Sequence, residues 1–320
     1  MSHCSRSVSR RGFLATTAAM TSLSAAFGRP TSAQDNVTDV AKGTFRYCLN
    51  MSTIRGQELS LVDDIETAGK AGYDSIEPWM RKIDQYAKDG GSLSDLGKRI
   101  KDLGLTVESA IGFAKWIVDD EAERKKGLEQ AKHDMDKLRQ IGGLRLAAPP
   151  VGATNKAGLD LFKAAERYRA LLVLGDEMGV VPQVEVWGFS KNLSRLGESM
   201  FVAIESGHPK ACLLPDVYHI FKGGSDFAGL TQISRQSIQV FHVNDYPASP
   251  PRGEMNDSHR VYPGDGVAPL KMIYEILIAN GCHPVLSLEL FNRDYWKQDA
   301  LEVARTGLMK TKESVAKAIG

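Results

Sequence analysis

Across residues 45–320 the spacing of hydrophobic positions changes period repeatedly. Short runs of β-branched and large apolar residues alternate with longer stretches in which apolar residues recur every three or four positions, the periods of a buried strand and of a one-faced helix. The runs predict strands over 45–49, 75–78, 106–111, 144–147, 181–186, 211–214, 238–243 and 284–288. Between them the longer period predicts helices over 59–71, 94–103, 121–141, 159–178, 193–206, 227–234, 268–279 and 299–319. Gly72, Gly104, Gly142, Gly179, Gly207 and Gly281 stand at or just past the expected helix ends, where a left-handed cap costs glycine little. Ser92 or Ser94 and Asp299 are suited to open the second and last helices.

Eight strand–helix units with no Pro/Ser-rich linker among them predict one α/β domain, a single (β/α)8 TIM barrel over 45–320. An open doubly wound sheet would show a glycine-rich turn after its first strand, and Asn50-Met51-Ser52-Thr53 is not one. The longest irregular stretch, 246–267, follows the seventh strand and is expected on the rim where such barrels do their chemistry.

Candidate chemistry gathers in the second half of the chain. Four consecutive strands end in Val184-Glu185-Val186-Trp187, Leu213-Leu214-Pro215-Asp216-Val217-Tyr218-His219, Val240-Phe241-His242-Val243-Asn244-Asp245 and Val285-Leu286-Ser287-Leu288-Glu289-Leu290. If the strands are parallel, Glu185, Asp216, His242 and Glu289 share one rim. Three carboxylates and an imidazole suit a single hard divalent cation, with manganese the first candidate and magnesium, cobalt, iron or zinc behind it.

This pattern resembles the xylose-isomerase-like barrels, which include sugar isomerases, ketose 3-epimerases, inosose dehydratases and the endonuclease IV branch. The epimerases hold one metal with a Glu after strand five, Asp-x-x-His after strand six, a His after strand seven and a Glu after strand eight. Glu185, Asp216 with His219, His242 and Glu289 fall on that order. Arg260-Val261-Tyr262-Pro263-Gly264-Asp265-Gly266 is similar to the family's Arg followed by Pro-Gly-x-Gly. The resemblance implies that Glu185 and Glu289 are the acid/base pair and that His219 and Arg260 contact substrate oxygens. It departs from the family at 246–259, an insertion stiffened by Pro247, Pro250 and Pro251 that is expected to reshape the mouth of the site.

Around this group Glu77, Trp116 and Trp187 are further candidates for substrate contact, with Phe113 beside them. Asp245 is expected to orient His242 or a neighbouring loop. Lys115 and His133 are expected in solvent, and His208 and His283 on the opposite face.

The expected activity is a metal-dependent isomerase or epimerase acting through an enediolate on a non-phosphorylated ketose or keto-sugar. Two alternatives are a lyase or dehydratase acting by β-elimination on an inosose or 3-keto-glycoside, and an exported sugar-binding protein without turnover.

Composition changes this picture in three places. Hydrophobic content of 42 % and charge of 25 % are enough for a full core. Ser9-Arg10-Arg11-Gly12-Phe13-Leu14 opens a leader that resembles a twin-arginine export signal, with cleavage expected after Ala33, residues 34–44 as a linker, and partnership with the twin-arginine machinery. The mature protein is then expected in the periplasm or otherwise outside the cytoplasm, exported folded and without stable membrane insertion. Removing residues 1–33 takes away four arginines and no acid, leaving 36 basic against 39 acidic side chains, so no nucleic-acid partner is expected. A homo-oligomer is compatible with this composition. The cysteines are expected to be buried apolar residues, since their spacing fits no zinc pattern.

Overall fold

The structure is a computed structural model that describes residues 44–320; the expected leader and its cleavage site lie outside them. Eight parallel strands form a ring: β1 (Arg46–Asn50), β2 (Ser75–Glu77), β3 (Thr106–Val107), β4 (Arg145–Ala148), β5 (Val181–Glu185), β6 (Leu213–Leu214), β7 (Val240–Val243) and β8 (Val285–Leu288). Regular ladders run β3-β2-β1-β8-β7 and β4-β5-β6. Backbone bonds outside these ladders close the two seams: Ala110 N donates to Arg145 O (3.1 Å) and Ala147 N to Ala110 O (2.9 Å) between the end of β3 and β4, and Leu213 N donates to Ser237 O (2.8 Å) and His242 N to Pro215 O (2.9 Å) between β6 and β7. The expected (β/α)8 barrel is the observed fold.

Helices cover the ring: α1 (Leu61–Ala71), α2 (Met80–Lys88), α3 (Leu93–Asp102), α4 (Glu121–Gln140), α5 (Leu161–Met178), α6 (Leu196–Glu205), α7 (Val217–Gly223), α8 (Leu270–Ala279) and α9 (Ala300–Ile319). Their starts are local chemistry. Ser92 accepts from Asp95 N at the head of α3, and Asp299 accepts from Leu301 N and Glu302 N at the head of α9. At the ends of α1 and α5, Gly72 and Gly179 adopt φ of 90° and 70°, conformations cheap for glycine.

The departures from the sequence expectation have physical causes. Residues 227–234 form a 3-10 segment, Phe227–Gln232, because a short stretch with Gly229 and Thr231 has little helix propensity. The strand expected over 211–214 is cut to its last two residues, because Ala211 N turns back to His208 O and Cys212 N is taken by the Tyr168 hydroxyl. Helices α2 and α7 were not expected, and α7 is too short for its period to show against the adjoining apolar strand.

Burial follows the architecture. Cys48, Cys212 and Cys282 are free and buried, as expected. At the N-terminal ends of the strands Glu108 pairs with Arg46 and Arg145, and Arg145 reaches Gln239, a polar plug that closes the end away from the site. His283 lies near Phe45 at that end. No described helix is long and apolar enough to cross a membrane.

Candidate active site and metal centre

Asp216 leaves β6 extended and becomes the N-cap of α7, its Oδ1 accepting the backbone N–H of His219 at 2.8 Å. A cap bonds to the residue three positions on, so the Asp-x-x-His spacing is the spacing of a helix start. The cap fixes both side chains at the rim. Its other oxygen, Oδ2, accepts from Asn244 Nδ2 (3.0 Å), itself held by Tyr218 N.

Asp216, His242 and Glu289 are all buried and each brings one ligand-type atom to within 4.8 Å of the others. Glu185 lies outside that tight group, although its carboxyl feels the charges of all three. The imidazole is aimed by Glu77. His242 Nε2 and Glu77 Oε2 are 2.9 Å apart, and the same oxygen accepts from Asn50 Nδ2 (2.9 Å) and Ser287 Oγ (2.6 Å). An oxygen already accepting two hydrogen bonds takes a third from Nε2–H, which leaves Nδ1 facing Glu289 Oε2 at 3.2 Å and Asp216 Oδ2 at 3.8 Å.

These residues fit a divalent cation on three grounds. The donors are hard oxygens and one imidazole nitrogen. His242 Nδ1 and Glu185 Oε2 are buried without a hydrogen-bond partner. The ring's other nitrogen is held by a carboxylate, the arrangement that orients metal-binding histidines. Burial works to lower the His242 pKa, but Glu289 and Glu77 outweigh it and hold it well above the usual histidine range. A divalent ion held by His242 would take the place of that proton.

Arg260 is fully buried and binds the group from above. Its Nη1 donates to Asp216 Oδ2 (2.9 Å) and Glu289 Oε2 (2.8 Å), and its Nη2 donates to Asp257 Oδ1 (2.6 Å) and His219 Nε2 (3.0 Å). Tyr218 and Phe291 lie against the guanidinium, 4.6 and 5.0 Å from its carbon. Burial lowers the His219 pKa to about 4, with Asp216 acting against it. The neutral ring accepts from Arg260 at Nε2, so its proton sits on Nδ1, a buried nitrogen without a hydrogen-bond partner among the described residues.

The two glutamates are pushed apart. Burial raises the Glu185 carboxyl to about 8 against the pull of His242, with Glu289 and Asp216 adding to the rise. Glu289 is held below the usual range, because His242 and Arg260 outweigh its burial. Paired carboxyls tuned in opposite directions divide acid from base.

The group floors a cavity of about 410 Å³ lined by Glu185, Trp187, His219, Arg260 and Glu289, among others. Trp187 and Phe113 are in its wall as expected. Two expectations are corrected. Trp116 does not line this cavity: it is buried against Tyr168, its Nε1 bonded to Pro149 O, because the chain after β3 turns it into the core. Glu77 is not a substrate contact: it is wholly buried beneath the site and spends its oxygen on His242, Asn50 and Ser287. Of the two roles expected for Asp245, the structure gives it the neighbouring loop and not His242: its oxygens accept from the Tyr246, Gly264, Gly266 and Ala268 N–H groups.

The insertion is built into the site. Lys222 of α7 donates to the carbonyls of Arg252, Gly253 and Met255, and Tyr246 stacks on Phe221 at 3.9 Å. Held there, it places Asp257 against Arg260 and in the cavity wall. Asp257, Arg55 and Asn50 were missed because each stands in a loop or at a strand end with no motif around it. Lys115 and His208 pair with Glu123 and Asp176, away from the cavity.

The Glu77 bond carries a direct prediction. Glu77→Gln is expected to weaken divalent-metal binding by roughly 10–100-fold, measured by calorimetric titration of the chelator-stripped protein. Wild-type affinity in that variant would show that Glu77 does not position His242.

Comparison with known proteins agrees with this architecture. A family profile described as xylose isomerase-like TIM barrel matches residues 65–313. An inosose isomerase of Bacillus velezensis is 27 % identical over 276 residues, spanning 85 % of this chain and 98 % of that protein. A 3-dehydroshikimate dehydratase of Pseudomonas aeruginosa is 24 % identical over 242 residues, 73 % of this chain but 36 % of that protein. Among solved structures, the IOLI protein with a bound zinc atom superposes with a TM-score of 0.79 at 24 % identity, covering 86 % of this chain and 99 % of that one.

Proposed function

Because the chain belongs to the xylose isomerase-like TIM barrel family, we propose that it is a divalent-metal-dependent isomerase or epimerase of a non-phosphorylated ketose or keto-sugar, acting through an enediolate. The observation that carries this is the meeting of Asp216, His242 and Glu289 under a cavity into which two oppositely tuned glutamates open. Asp216, His242 and Glu289, with Glu185 beside them, are the proposed ligands. When bound, the divalent ion supplies Lewis-acid stabilisation for charge that develops on adjacent carbonyl and hydroxyl oxygens. Manganese is the first candidate by its liking for oxygen-rich sites.

Glu289, the ionised carboxylate, takes the proton from the carbon beside the carbonyl. Glu185, the second carboxyl open to the cavity, gives a proton back to carbon, and transfer to the opposite face inverts the centre. With a divalent ion held beside it, the Glu185 carboxyl, raised to about 8 without one, would be drawn toward its ionised form. His219 Nδ1–H and Arg260 Nε–H, both without a hydrogen-bond partner among the described residues, donate to the enediolate oxygens, and their strength there comes from being buried and fixed before the substrate arrives.

A second outcome on the same residues is β-elimination, in which the enediolate expels a neighbouring hydroxyl or glycosidic group and Glu185 protonates the leaving oxygen. The cavity wall contributed by the 246–259 insertion favours keeping this reading, because it supplies surface for a group beyond the reacting sugar. The expected leader adds the proposal that the enzyme works outside the cytoplasm.

Incubated in deuterium oxide with a panel of ketoses, inososes and 3-keto-glycosides, the metal-loaded protein is expected to exchange a carbon-bound proton of one of them, and exhaustive chelation to stop the exchange. Product mass distinguishes isomer from elimination. Exchange that survives chelation would sink the metal-dependent reading, and calorimetric binding with no exchange or product would leave a sugar-binding protein.

A further inference from the structure

Arg55 stands in the 3-10 segment Arg55–Gln57 just beyond β1, and its side chain lines the cavity. Its guanidinium carbon lies 5.0 Å from the ring centre of Trp79, 5.2 Å from Phe291 and 4.9 Å from Trp296. This aromatic cage is anchored: Trp79 Nε1 donates to Ser52 Oγ (2.9 Å) and Trp296 Nε1 to Ser52 O (3.1 Å). Gly56 permits it, since a Cβ there would stand 2.2 Å from Trp296 Cβ. The rings occupy the guanidinium faces by cation–π attraction. Its N–H edge has no partner among the described residues.

That is unlike Arg46, Arg99, Arg145, Arg167 and Arg260, each of which holds a carboxylate. Two more side chains without a carboxylate partner stand nearby: Arg81, 4.5 Å over the same Trp79 ring, and Arg293 in the cavity wall. A cation fixed by packing, with its hydrogen-bond donors unspent and further positive charge beside it, is complementary to a substrate anion. The planar fork matches a planar carboxylate. Asp257 and Glu289 both act on Arg55 through space, so a dianionic phosphate ester meets more repulsion there than a monoanion.

We propose that Arg55, in its cage of Trp79, Phe291 and Trp296, binds a carboxylate carried by the substrate, which makes the substrate a sugar acid or a carboxylated cyclitol. The assignment rests on the isomerase or lyase reading for what happens at the reacting carbon, but its test needs no turnover. Calorimetric titration of the metal-loaded full chain with D-glucuronate and D-glucose compares a carboxylate with a hydroxymethyl group on one ring, and D-glucose 6-phosphate gives the dianion. Glucuronate is expected to bind at least about 10-fold more tightly than glucose, as one charge-assisted contact requires. Arg55→Met removes that preference, and Arg55→Lys, which keeps the charge without the fork, restores part of it. Equal affinity for glucuronate and glucose in the wild type overturns the proposal. So does a preference that survives Arg55→Met, which would put the carboxylate on the metal, and so does tighter binding of the phosphate ester. Failure of the isomerase reading is seen separately, as missing or chelation-insensitive proton exchange with the calorimetric preference intact.

Discussion

Glu289→Gln is expected to slow exchange of the substrate's carbon-bound proton by about 10²–10⁴-fold, the usual contribution of a positioned general base. The substitution keeps the size of the side chain and a carbonyl oxygen for Asn50, which donates to Glu289 Oε1 at 3.2 Å. It removes the negative charge that Arg260 meets at 2.8 Å and the electron pair that takes the proton. Fold and cavity are retained, so the loss is read in the rate. Deuterium incorporation followed by NMR under saturating metal separates a lost base from a lost ligand, since metal affinity is measured on the same variant. Wild-type exchange in Glu289→Gln would remove this residue from the proton-moving role.

Arg260→Met is expected to destabilise the metal-stripped protein by about 3–5 kcal/mol, the cost of leaving buried charge without its partner. The guanidinium is fully buried and answers Asp216, Asp257 and Glu289 together. Burial acts to lower its pKa, yet those three carboxylates hold it above the usual arginine value, so it stays charged. Methionine keeps much of the apolar stem and supplies no charge. Added divalent metal is expected to recover part of the loss, because it brings positive charge back to Asp216 and Glu289 and stabilises whatever state binds it. Urea denaturation with and without metal measures both terms. A stripped variant as stable as the wild type would show that the carboxylates shed their charge by protonation instead.

Legibility in the sequence tracked what each signal depends on. The barrel was visible because each strand–helix unit repeats a local period, and Gly72 and Gly179 punctuate the ends as local stereochemistry requires. Asp216, His219, His242 and Glu289 stood out because each lies at a fixed offset from a strand end, and Arg260 because Pro-Gly-x-Gly follows it; the structure brings them together. Glu77 was misplaced for the opposite reason. Its partner lies 165 residues away, and nothing within β2 says whether a buried carboxylate points up into the cavity or across to β7. Trp116 failed similarly, as an aromatic near a strand end reads alike whether the following turn sends it inward or outward. Arg55 and Asp257 depend on loop geometry, which hydrophobic periodicity does not encode.

The bond network of Glu77 also bears on how divisible the molecule is. The proposed ligands all come from the second half of the chain, so a fragment beginning at β5 would carry every one of them. It would lack the β2 carboxylate that aims the imidazole and the β1 amide of Asn50, which bridges Glu77 and Glu289. The two halves are therefore not a catalytic unit and a scaffold. In fragment-complementation terms, the ligand-bearing half supplies the atoms and the other half supplies their direction, and the site exists only where the ring is closed.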